Sequence, residues 1–353
     1  MTKPEPKLTH MPEHIKQMIA DLSTTDMGTK LSLGLVCHEF RDHAEKSPTN
    51  YAGVSINLYS RKVTVRIWAI FKKPDDSNYE KHIDMEFSAQ KDGVLKKNPT
   101  SGWEKILPGD DYRKAAVQYY IGIMGRAKTT IDNFYLGIGI WGERETEYLE
   151  TKFEEDRSVI MDEMERILSG LGRPLNVKYL KCNVQLTDTQ MLQLLPYLKA
   201  GKLREIQFSI NVGTPTNPPL NLDLISETEQ WKQAKKLDIY RYDCSISFEK
   251  LFHFEEVDGS LTIASASPVS AKTIVETFIN HPTMRNLIVQ CVLDDEDEVI
   301  TEFAEYLQLF GVNFSDFEQT EVFIPSEPDT YIDIAFQRNI IIVSRIPRNS
   351  YQL

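Results

Sequence analysis

The chain has 353 residues, 41% hydrophobic and 26% charged, enough to bury a substantial core in two or three domains, or in one small domain and one long array. Its 40 basic and 52 acidic side chains leave a formal net charge of −12. A surplus of that sign repels a phosphate backbone and no local basic stripe offsets it, so nucleic acid is excluded as an expected direct ligand.

Cys37, Cys182, Cys244 and Cys291 stand far apart with no C-x-x-C pair. That usage fits reduced thiols and predicts a cytoplasmic or nuclear address. The opening MTKPEPKLTH lacks the apolar core of a signal peptide. Nor does any stretch approach the ~18 consecutive apolar residues of a membrane span, so no membrane partner is expected.

Residues 1–9 are polar and proline-containing, and are expected to form a disordered tail. Over residues 10–48, Met11, Ile15, Met18, Ile19 and Leu22 recur at i, i+4, i+7, i+8 and i+11, one apolar stripe of a helix. Pro12 suits its first turn, where a missing N–H costs nothing. Ser23 to Asp26 supplies a stop and an N-cap, and Leu31, Leu35, Val36 and Phe40 continue on a second helix. A hairpin of that size is too small to stand alone, so its stripes should be shared with a neighbour.

The order Met11-Pro12-x-x-Ile15-x-x-x-Ile19-x-x-Leu22, then Asp26, then Val36-Cys37-x-x-Phe40-Arg41, resembles an F-box. The resemblance implies docking on a Skp-type adaptor and, through it, on a cullin-based ubiquitin ligase. It places Met11, Pro12, Ile15, Ile19, Val36 and Cys37 at adaptor-facing or core positions. Met11 stands where the family usually has leucine, and Asp26 is followed by Met27-Gly28, where glycine costs a helix about 1 kcal/mol relative to alanine. His10 and His14, at i and i+4, could present two ring nitrogens to a metal, but Cys37 and His38 are adjacent and point to different faces of one helix. Surface histidines are therefore expected, and no metal.

From residue 49 to 105 the pattern changes to runs rich in β-branched residues, VSINLYS, KVTVRIWAIF and HIDMEFSA, with Ser60 to Lys62 and Pro74 to Asn78 as turns. These predict an antiparallel β meander or linker, in which Trp68 and Trp103 serve as core or junction aromatics.

Over residues 106–353 helices and strands alternate. A helix from about Asp110 precedes the strand motif Ile131-x-x-Phe134-x-Leu136, and an acidic helix, roughly Glu143 to Ser169, follows it. The same L-x-x-L-x-L spacing returns at Val177-Leu180-Cys182, Leu203-Ile206-Phe208, Ala234-Leu237-Ile239, a defective Asp258-Leu261-Ile263, and Met284-Leu287-Val289. The second of these starts 203 − 177 = 26 residues after the first, the length of one strand plus one helix in a stacking repeat. Strands joined by single helices in one direction favour a parallel sheet with right-handed crossovers. GTPTNPPLN and the acidic run Asp294 to Glu298 read as inserted loops. Ile332 to Phe336 and Ile340 to Ile346 read as a hairpin capping the open end.

LLPYLKAGKLREI (Leu194 to Ile206), EQWKQAKKLDI (Glu229 to Ile239) and His253-Phe254 resemble the FTH domain of nematode F-box A proteins, in which an F-box precedes the FTH domain in this order. The fold class expected is α/β: a small N-terminal helical F-box, then a degenerate leucine-rich-repeat-like α/β solenoid with a parallel sheet, capped by antiparallel hairpins. Trp231 is expected as a core anchor rather than a ligand contact.

One pattern with a chemical meaning occurs, Gly137-x-Gly139-x-x-Gly142, after a strand and before a helix, as in dinucleotide folds. Glu143, Glu145 and Glu147 would repel a pyrophosphate there, and Trp141 would crowd the backbone approach, so no cofactor is expected. No P-loop, H-E-x-x-H or G-x-S-x-G is present, and neither His253 nor His281 has an evident orienting carboxylate in sequence. The expected function is non-catalytic: a substrate-recognition subunit of a Skp–cullin–F-box ligase, gripping an unknown target protein through the α/β arc. The alternative is a scaffold that sequesters a partner without recruiting a ligase.

Overall fold

The computed structural model describes residues 49–59, 61–72, 78–125, 129–138, 148–183, 186–209, 220–240, 244–246, 248–259, 263–266, 276–281, 283–293, 324–327, 330–337 and 340–347. It is a mixed α/β protein whose chain divides into two units, Met1–Lys178 and Tyr179–Leu353. The helical hairpin expected over residues 10–48, the body of the GTPTNPPLN insertion and the acidic run at Asp294 all lie outside the described residues.

In the first unit, strands β1 (Thr49–Tyr59), β2 (Lys62–Lys72), β3 (Asn78–Gln90), β4 (Gly93–Lys97) and β5 (Glu104–Leu107) pair in succession, all antiparallel. Their alternation puts Val54, Ile56 and Leu58, Val63, Val65 and Ile67, and Phe87 and Val94 on one buried face. Helix α1 (Tyr112–Met124) covers that face with Ala116, Val117, Tyr120, Ile121, Ile123 and Met124, all buried. Each large aliphatic or aromatic chain removed from water there contributes roughly 1.5–3 kcal/mol. The helix starts where it does because the Asp111 carboxylate accepts from the backbone N–H groups of Arg113 (2.9 Å) and Lys114 (3.4 Å), which have no partner inside the helix.

After α1 the chain returns as β6 (Thr129–Ile138), which pairs with β1 in parallel. The meander thus has a parallel strand on its first edge, a pairing that local patterning does not reveal. Helix α2 (Tyr148–Gly170) then packs on α1. Arg113 bridges to Asp156, and Gln118 donates to Glu163 at 2.9 Å, so both chain numbers rise together and the helices run parallel. Two glycines in this unit are fixed by close approach. A Cβ on Gly53 would lie 2.0 Å from the ring of Trp68, and one on Gly137 would lie 2.2 Å from Oδ1 of Asn57.

The second unit holds a mostly parallel sheet. Its strands are β7 (Asn176–Asn183, from Tyr179 in this unit), β8 (Glu205–Ser209), β10 (Lys236–Tyr240), β12 (Glu256–Gly259) and β14 (Asn286–Leu293), paired in that order and all parallel. Strand β17 (Ile340–Pro347) joins β14 antiparallel and is followed outward by β16 (Thr330–Gln337) and β15 (Ile324–Glu327). A two-stranded pair, β9 (Leu220–Asn221) with β11 (Cys244–Ser245), and a short strand, β13 (Ile263–Ala266) beside β14, complete the unit.

Register identifies the equivalent positions. Leu180 lies beside Ile206, then Leu237, Val257, Leu287 and Val343, every one of them fully buried. The expected copy at Asp258-Leu261-Ile263 is therefore corrected: the equivalent run is Phe254-x-x-Val257. Backbone hydrogen bonds one residue after each first position give the same answer. The N–H of Lys235 donates to the carbonyl of Arg204 (2.7 Å), Glu255 to Lys235 (2.8 Å), and Arg285 to Glu255 (2.6 Å). With Phe254 in place, Leu203, Ala234, Phe254 and Met284 are all buried equivalents, and the intervals become 31, 20 and 30 residues from Leu203 onward.

The connecting helices are shorter than the periodicity suggests. Thr187 and Gln190 close a capping box at the start of α3 (Asp188–Leu192), and Pro196 turns the rest into a 3-10 segment, Leu195–Tyr197. Helices α4 (Leu222–Ser226) and α5 (Glu229–Gln233) are equally brief.

Candidate functional site

Parallel strands with one apolar face in register necessarily present a second face in register. In the second unit that face carries a polar row across six strands: Tyr179, Glu205, Lys236, Glu256, Asn286 and Ser344. Two residues further along the strands a second row holds Lys181, Gln207, Asp238 and Asp258. All ten side chains are half-buried, as expected for neighbours standing shoulder to shoulder on an open sheet. Beyond them, Tyr240 at the end of β10 is 53% exposed, opposite Ser209. With strands about 4.8 Å apart, the first row runs roughly 24 Å.

Charges on the face are interlocked. Lys236 pairs with Glu256 at 3.6 Å, Gln207 donates to Asp238 at 3.0 Å, and the Ser344 hydroxyl donates to Asn286 at 2.8 Å. The Asp238 carboxyl is held above the usual range, first by partial burial and then by the neighbouring Asp258 charge; Lys236 opposes the shift. Two carboxylates directly opposite in a sheet destabilise it, and their cost is relieved by any cation brought between them. Such a row presents alternating charge at fixed spacing.

The opposite side anchors the face. Trp231 on α5 is fully buried, its Nε1–H donates to the Lys250 carbonyl at 3.2 Å, and its ring meets Phe254 edge-on at 5.1 Å. His253 donates Nε2–H to the Trp231 carbonyl at 2.8 Å, and its pKa is lowered below the ordinary value chiefly by burial. Trp231 is a core anchor, and His253 braces it. Cys182 is fully buried beneath the face, where burial pushes its thiol up to about 12 and keeps it unreactive. Arg345 on β17 ties down the chain leading into β14, donating to the carbonyls of Met284, Phe278, Ile279 and His281 at 2.9–3.0 Å.

Of the residues singled out in sequence, Met11, Pro12, Ile15, Ile19, Val36 and Cys37 lie outside the described residues, as do Gly139 and Gly142. Gly137 is described, and it is a strand residue inside β6 paired with Asn57, not the tight turn a dinucleotide fingerprint needs. Among the described residues no group of three or more His, Cys, Asp or Glu side chains converges as a metal site requires. No helix among them is long and apolar enough to cross a membrane. No sequence motif marks the polar rows. Their signal was there, as the residues between the apolar positions of each L-x-x-L-x-L run, but only register shows that they align.

Neither a curated protein nor a solved structure matches the chain. Residues 158–310, from within α2 to beyond β14, match the FTH domain, the domain typical of nematode F-box A proteins.

Proposed function

We propose that this protein is a non-catalytic substrate receptor of a Skp–cullin–F-box type ubiquitin ligase. In this reading residues 10–48 bind the Skp-type adaptor through Met11, Pro12, Ile15, Ile19, Val36 and Cys37. The FTH region, read as a degenerate leucine-rich-like arc, holds a target protein on its polar face. The observation that carries the second half is the alignment of Tyr179, Glu205, Lys236, Glu256, Asn286 and Ser344 in one row. The mechanism is proximity: holding a target lysine near the conjugating enzyme raises its effective concentration without chemistry by this chain.

The two halves are tested separately in the full chain. Changing Pro12 and Ile15 to aspartate should abolish co-purification with a Skp-type adaptor and leave target capture intact. Changing Asp238 and Glu256 to lysine should do the reverse, because the swap inverts the charge pattern while the apolar face beneath is untouched. A target bound with no adaptor in the complex supports sequestration by a scaffold instead. If the face variant retains every partner, the polar rows are not the binding surface.

A further inference from the structure

Lys96 is the one core-facing lysine of the buried pattern on β4. It shares the α1 side of the sheet with Val94, sits beside Phe87 of β3 in register, and faces Lys105 of β5 directly. Its Nζ lies 3.8 Å from the ring centre of Tyr119 on α1, 5.8 Å from Phe87 and 5.9 Å from Trp103. Among the described residues no carboxylate lies within ion-pair distance of it. Trp103 is 47% exposed, so this aromatic cluster opens to solvent at its rim.

We propose that Lys96 is a preferred acylation site, its amine taking an acyl group from a small acyl thioester. The aromatic rings hold the amine in one place, and the Tyr119 face attracts its ammonium form. Burial, first, and the Lys105 charge, second, work against that form and bring the pKa down to about 8. The groups that face Lys96 are accounted for on each side. Among the described residues Lys105 on β5 is the only charged one, Tyr119 and Phe87 come from α1 and β3, and Trp103 stands ahead of β5.

In the reaction the neutral amine attacks the thioester carbonyl carbon. The C–N bond forms, the C–S bond breaks with its electron pair on sulfur, and the proton lost from nitrogen passes to the thiolate. Nothing is oxidised or reduced. The product amide is uncharged, so the modification removes both the burial cost and the repulsion by Lys105.

The test is site-resolved mass spectrometry of the full chain after brief exposure to limiting acetyl-coenzyme A across pH 6.5–9.5. Lys96 should be acetylated about tenfold faster than the median lysine at pH 7.5, since a larger neutral fraction is partly offset by lower basicity. Its rate should level off above about pH 8, whereas exposed lysines keep rising. Lys105→Glu, on an exposed side chain, supplies a counter-charge and should slow Lys96 several-fold while leaving far-UV circular dichroism unchanged. Labelling of Lys96 at or below the median, or a rate indifferent to Lys105→Glu, overturns the proposal.

Discussion

Trp231 offers the sharpest test of how the binding face is held. Replacing it with alanine removes a fully buried indole, its edge-on contact with Phe254 and its hydrogen bond to the Lys250 carbonyl. Truncation of a buried tryptophan costs about 3–5 kcal/mol, transfer and cavity terms together. Phenylalanine keeps a ring against Phe254 but leaves that carbonyl without its donor, a loss of about 1–3 kcal/mol. Amide hydrogen exchange of the full chain reads the difference locally, in peptides from Lys236–Tyr240 and Glu256–Gly259. At tenfold per 1.4 kcal/mol, Trp231→Ala should speed their exchange by roughly two to four orders of magnitude, and Trp231→Phe by roughly one to two. Exchange unchanged in Trp231→Ala would refute the anchor role. Equal rates in the two variants would show that the indole N–H, and not the packed ring, is what matters.

Two further outcomes follow from the same sheet. Cys182 should stay unmodified by a thiol-specific reagent in the folded chain and react only on unfolding; rapid native-state labelling at that position would contradict its burial. Asp238→Asn should stabilise the protein at pH 7. The folded carboxyl binds its proton more tightly than the unfolded one, so the stability it contributes is full in acid and lost as pH rises through the folded value. Asparagine can still accept from Gln207, and its advantage in thermal midpoint should vanish below about pH 4. A variant less stable than the parent at neutral pH would remove the like-charge argument for the Asp238–Asp258 pair.

Much of the architecture is legible in the order of apolar residues. Val54-x-Ile56-x-Leu58 and Val63-x-Val65-x-Ile67 alternate because one face of that sheet lies under α1, and no other secondary structure buries such a run. The runs around Leu180, Ile206 and Leu237 mark strands for the same reason. Pairing that joins distant parts of the chain is less legible. The parallel contact of β1 with β6 links residues 80 apart, as at Asn50 and Thr130, with four strands and a helix between them. The lysine among Phe87, Trp103 and Tyr119 likewise gathers four separate stretches.

The copy at Phe254 shows where sequence stops and tertiary structure begins. By itself the sequence determined that five runs from Val177 onward must bury one side and leave polar residues between, because that follows from side-chain alternation alone. It did not determine whether the fourth run began at Phe254 or Asp258. A strand of only four residues, Glu256–Gly259, carries too few apolar positions to fix its own phase. The neighbouring strands decided it. Glu255 donates to Lys235, Arg285 donates to Glu255, and those hydrogen bonds can form only with Val257 beneath the face and Glu256 and Asp258 upon it.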